Sequence, residues 1–251
     1  MPLALTLQTI LSFLVALVFA AIHLAGDRLR FLDTVPRSRW LSAAGGVAVA
    51  YVFIHLLPEL SAAQEHFRGA FGSGPLGAIE RHSYLVALLG LVIFYGLERV
   101  ARSSARRQEA RGRGREAEPA VFWLHLGSYS LYNLLIGYLL LHREEQGLQA
   151  LLFYAIAMGF HFLVNDRGLR QDHGAAYRRY GQWVLAAAPL LGWLIGVLID
   201  IPQLLVSTLF AFLAGGVVLN VLKEELPEER ESRFSAFVAG AAVYTALLLA
   251  A

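Results

Sequence analysis

Cysteine is absent from the 251 residues, which excludes disulfides and thiolate metal ligands and leaves the compartment open. Charge is sparse. Asp, Glu, Lys and Arg make up 16% of the chain against 57% hydrophobic residues. The mean hydropathy of +0.55 is too high for a soluble domain of this length. No phosphate-cradling glycine loop, serine-centred nucleophile elbow or zincin histidine pattern occurs. The one basic low-complexity segment has no interleaved aromatics, so nucleic acid is not an expected partner. No basic residue precedes the first apolar run, so that run is expected to be a retained span and not a signal peptide.

What fills the chain is long uncharged apolar runs. A backbone in lipid must satisfy its own hydrogen bonds, and runs of about 20 residues predict spanning helices and not barrel strands. The expected fold class is an all-α polytopic membrane protein with eight transmembrane helices in one domain. The spans fall at about 5–25, 40–60, 83–99, 120–141, 147–165, 181–199, 203–222 and 234–251. Residues 61–81 are glycine-rich and are expected to be irregular. Residues 102–119, rich in Arg, Ala, Gly and Glu, are expected to be a flexible basic linker. Residues 166–180 read as a hydrophilic loop with Arg167, Arg170, Arg178 and Arg179.

Positive charge gives an independent check on the eight spans. Alternate connections carry 18 of the 21 Lys and Arg, and the opposite side carries only Arg68, Arg81 and Arg143. A missed or false span would scramble that alternation. The basic side is expected to be cytoplasmic and the termini outside, in a cell inner membrane. The arginines read as topology determinants and contacts to the lipid bilayer, a partner favoured by the net charge of +2. A weak internal repeat is also present. Span two reads Gly45-Gly46, an apolar run, then Leu57-Pro58-Glu59; span seven reads Gly215-Gly216, an apolar run, then Leu226-Pro227-Glu228. With Gly46 set against Gly216, the spacing to proline differs by one residue. Spans 1–3 and 6–8 would then form an inverted repeat around spans 4–5, an architecture that places a transporter's site near the midplane.

The candidate site residues lie in spans four and five. His161 and Asn165 are four apart and share a helix face. His125, Tyr129 and Tyr132 form another stripe, with Asn133 at its edge. Imidazoles are good zinc or nickel ligands, so His161, Asn165, His125 and Asn133 are midplane metal candidates. His55 and Glu59, also four apart, are candidates for a cation-access site at the outer end of span two. Against a metal stands the lack of any carboxylate in these two runs. Counter-charge would come from Glu59, Glu98, Asp200 or Glu224, with Asp166 placed near the interface. His161 and Asn165 equally suit a hydrogen-bond pair that glues helices, worth about 1 kcal/mol. His23, near the end of span one, reads as an ordinary interfacial histidine.

On these residues the chain resembles the ZIP (zinc/iron-regulated transporter-like) family of divalent metal transporters. The likeness rests on eight spans, outside termini and a long hydrophilic loop after span three. It also rests on His55-Leu56-Leu57-Pro58-Glu59 and on Glu224-Glu225-Leu226-Pro227-Glu228. The family's span four carries His-Asn-x-x-Asp-Gly, where this chain has Tyr132-Asn133-Leu134-Leu135-Ile136-Gly137. Its span five carries His-Glu-x-Pro-Glu-Gly, where this chain has His161-Phe162-Leu163-Val164-Asn165-Asp166. The resemblance implies a binuclear metal site between spans four and five, here stripped of its usual carboxylates. It therefore implies transport of zinc or a similar divalent cation as substrate, with no resident cofactor and no enzymatic activity. Two alternatives stand beside it. One is a ZIP-fold protein that has lost the ion and has a binding or structural role. The other is an intramembrane enzyme using His125 and His161 as acid and base, for which no nucleophile is apparent. Homodimerisation is left open.

Overall fold

A computed structural model describes residues 2–25, 39–71, 82–112, 118–143, 147–224 and 233–249. Every regular element among them is helical. The order is α1 (Pro2–Ala25), α2 (Arg39–Tyr51), a π turn (Val52–Leu56), α3 (Leu57–Phe71), α4 (His82–Ala110), α5 (Pro119–Leu139), α6 (Leu148–Ala176), a second π turn (Tyr177–Gly181), α7 (Gln182–Leu198), α8 (Gln203–Glu224) and α9 (Phe234–Leu249). Among the described residues, six stretches are long and apolar enough to cross a membrane: Leu7–Ala25, Ser42–Glu65, Ser83–Ala110, Leu148–Arg170, His173–Leu198 and Gln203–Leu222. The chain is a multi-pass helical membrane protein. α5 falls below the hydropathy of those six because it carries the polar stripe, and α9 is shorter.

Several helices outrun their apolar segments. The run after span two stays helical to Phe71, with Ala63, Gln64 and Phe67 buried along one face. The irregular segment expected from residue 61 therefore does not begin there, and 72–81 lie outside the described residues. α4 continues to Ala110 through the first half of the expected linker. Ala101, Ser104 and Ala105 are buried there, and Ala and Arg are strong helix formers. Ser104 Oγ also accepts a hydrogen bond from the Glu118 N–H at 3.0 Å. Residues 113–117 of that linker lie outside the described residues. Likewise the loop expected from residue 166 is helix as far as Ala176, with a break at Gly174 (φ 35°). Asn165, Leu169, His173 and Tyr177 form a buried stripe at four-residue spacing, which carries the helix past its arginines. The turn at Val52–Leu56 has a local cause. Pro58 has no N–H and its ring crowds the carbonyl four residues back, and the Leu57 N–H bonds instead to Val52, five residues back.

The helices group into two compact units. One contains residues 1–31 and 95–200, hence α1, the end of α4, α5, α6 and α7. The other contains residues 32–94 and 201–251, hence α2, α3, the start of α4, α8 and α9. Within each, helices cross at reciprocal glycines. In the second unit, a methyl on Gly46 would overlap the Phe237 carbonyl, and one on Gly240 would overlap the Ala43 carbonyl. Also in that unit, Gly215 meets the Ala87 carbonyl and Gly90 the Phe212 carbonyl. In the first unit, Gly137 meets the Pro189 carbonyl and Gly192 the Leu134 carbonyl. Backbones approach this closely only where no side chain intervenes, the small-residue mode of packing in lipid.

Candidate functional site

Three helices of the first unit bring polar side chains into one buried cluster. α1 supplies His23, α5 supplies Asn133, and α6 supplies His161, Asn165 and Asp166. His23 and Asn133 are each 1% exposed, Asp166 2%. The Asp166 carboxylate lies 2.9 Å from His23 Nδ1 through both oxygens. Asn133 Nδ2 lies 2.9 Å from His23 Nε2. Phe162, one turn before Asp166, packs against the His23 ring at 4.6 Å with the planes tilted by 44°, so two α6 side chains at i and i+4 clasp one imidazole. Asn165 Nδ2 lies 2.8 Å from His161 Nε2, and the Tyr132 ring covers His161 at 5.1 Å.

One arrangement of protons satisfies these contacts. His23 Nδ1–H donates to Asp166, and its Nε2 accepts from Asn133. His161 Nε2 accepts from Asn165. Asp166 is the one carboxylate of the cluster. A buried carboxylate is costly unless charge or several hydrogen bonds compensate it. Asn133 Oδ1 is buried and has no hydrogen-bond partner among the described residues. Orphaned buried oxygens of this kind are uncommon and invite a cation or water.

His125 is not part of this cluster. It lies eight residues from Asn133 on α5, about 12 Å along the axis. Its Nδ1 is 3.0 Å from His173 Nε2, and its Nε2 is 3.7 Å from Glu98, whose other oxygen bonds Arg102 at 3.1 Å. His55, within the π turn of the second unit, and Glu59 of α3 approach to 3.6 Å, both mostly buried. Asp200 is 97% exposed, which removes it as buried counter-charge. The Glu224 side chain and the segment 226–228 lie outside the described residues.

Of the sequence candidates, the structure joins His161 to Asn165 and places Asn133 in the buried chain. It separates His125. Two members were missed. His23 looked interfacial, and Asp166 looked like the start of a loop; both are among the least exposed polar residues. The available signal was the type of residue, since an ionisable side chain in or beside an apolar run is a functional candidate wherever it falls. Among the described residues, no three His, Asp or Glu side chains converge as a preformed metal centre. No family model matches the chain, and no curated protein is significantly similar to it.

Proposed function

We propose that the protein is a ZIP-like membrane carrier of divalent metal cations, with the His23–Asp166–Asn133 chain and the His161–Asn165 pair as its midplane site. The carrying observation is Asp166, a carboxylate 2% exposed among apolar helices. It supplies counter-charge that the sequence motif lacked. The orphaned Asn133 Oδ1 adds a neutral oxygen ligand beside it. His55 and Glu59 serve cation access. One carboxylate against a divalent charge implies weaker binding than a carboxylate-rich site would give.

The same reading adds α5, which falls short in hydropathy, and α9, which falls short in length, as spans, for eight in all, with termini outside and basic connections on the cytoplasmic side of the inner membrane. The inverted repeat of spans 1–3 and 6–8 gains support from the glycine crossings. Gly46 of α2 packs on α9, and Gly215 of α8 packs on α4. Exchanging span two with seven and three with eight turns one crossing into the other. The pairing Gly46 with Gly215 also removes the one-residue mismatch, because Pro58 and Pro227 then each follow their glycine by twelve residues.

The test is thermal unfolding of the purified protein with zinc, manganese, iron(II), nickel or cadmium, followed by uptake into proteoliposomes. A bound ion raises the melting temperature by mass action. The rise is expected for the wild type and is expected to vanish in Asp166→Asn and His161→Ala. A second reading, a ZIP-like fold without transport, draws on the lack of three converging ligands and on hydrogen bonds that already occupy both His23 nitrogens. No melting shift with any metal, together with no uptake, would favour it.

A further inference from the structure

The first unit carries an aromatic and basic patch outside its buried clusters. Trp123 of α5 is 53% exposed, Tyr180 of the second π turn 41%, and Trp183 of α7 60%. The Trp123 and Tyr180 rings lie 5.7 Å apart, and the Arg179 guanidinium sits 5.2 Å from the Tyr180 centroid. Their sequence neighbours fix this platform from below. Phe122 and Tyr177 are buried in one core cluster with Leu126, Leu169 and Leu185. Arg178 and Arg179 are both exposed, and among the described residues neither pairs with a carboxylate. Leu124 and Val184, next in sequence to Trp123 and Trp183, add exposed apolar surface on the same two helices.

Each part has a counterpart in one molecule. Indole and phenol rings settle at the headgroup level of a bilayer. A guanidinium matches phosphate oxygens in a planar fork. Two cations without carboxylate partners call for an anion, and the adjoining apolar strip suits acyl chains. We propose that this patch docks an anionic phospholipid, with its phosphate at Arg178 and Arg179, its glycerol region against Trp123 and Tyr180, and its chains along Leu124 and Val184. A free phosphate would use the arginines and leave the rings and apolar strip without a role, so the lipid is the occupant. The proposal does not depend on metal transport.

The full-length purified protein is titrated with phosphatidylglycerol, phosphatidylcholine and inorganic phosphate, reading melting temperature. Quenching of indole fluorescence by brominated forms of the two lipids is the second readout. Phosphatidylglycerol is expected to stabilise more and quench more. Each arginine at an anionic lipid surface is worth about fivefold in affinity, so Arg178→Gln with Arg179→Gln should weaken it about 25-fold. The charge-matched control, Arg111→Gln with Arg233→Gln, should change it little. Trp123→Leu should lose part of the quenching and of the lipid preference. Equal losses in the site and control pairs would overturn the proposal, because only net charge would then matter. So would equal protection by inorganic phosphate, which would make the patch a site for a free anion.

Discussion

Asp166 is a carboxylate at 2% exposure, with an imidazole as its hydrogen-bond partner. A buried charge is costly, and an amide oxygen at the same place can still accept from the His23 Nδ1–H. Asp166→Asn is therefore expected to leave metal-free stability within about 1 kcal/mol of wild type, or above it, while abolishing any metal-induced melting shift. Asp166→Ala also strands the His23 Nδ1–H in the core and should cost about 1–3 kcal/mol in thermal or denaturant unfolding. A strong destabilisation by Asn with the metal shift intact would mean that Asp166 serves folding alone. His161, Asn165 and Asn133 were legible in the sequence because they interrupt apolar runs. His23 and Asp166 were not, because hydropathy closes a span near its first charge, whereas burial of Leu169, His173 and Tyr177 carries α6 beyond it.

At the level of the helix, closeness of approach decides which glycines matter. Methyl groups on Gly46 and Gly215 would overlap neighbouring backbone carbonyls, whereas Gly96 and Gly127 have nothing within 4 Å of such a methyl. Overpacking a tight contact costs about 1–3 kcal/mol, and backbone cannot yield as a flexible side chain does. Gly46→Ala and Gly215→Ala should each lose at least that much, by similar amounts if the two crossings are related by the repeat. Gly96→Ala and Gly127→Ala should be neutral or gain up to about 1 kcal/mol from helix propensity. Melting of the four variants in one detergent separates the classes. The glycine pairs themselves were visible in the sequence. Which member of Gly215-Gly216 makes the close backbone crossing was not, because spacing alone cannot tell which residue faces the neighbouring helix.

Over the whole chain, the clearest sequence signal is the partition of 18 basic residues to one set of connections and three to the other. That partition is the argument for counting α5 and α9 among the spans, although among the described residues hydropathy alone selects six other stretches. The physical conflict is plain in α5, where a polar stripe built for the protein interior lowers the apparent affinity for lipid. The absence of cysteine makes the question directly measurable with single introduced thiols and a membrane-impermeant label. Gly112→Cys and Arg233→Cys are expected to react only from the cytoplasmic side. Leu148→Cys, Asp200→Cys and Leu249→Cys are expected to react from the outside, and all five positions lie outside the buried core. Leu148 decides α5 and Leu249 decides α9. If Leu148 reacts from the same side as Gly112, α5 does not span and the midplane placement of Asn133 fails with it. If Leu148 and Leu249 both react from outside, eight spans follow, and the buried carboxylate of Asp166 belongs to a helix that crosses the membrane beside α5.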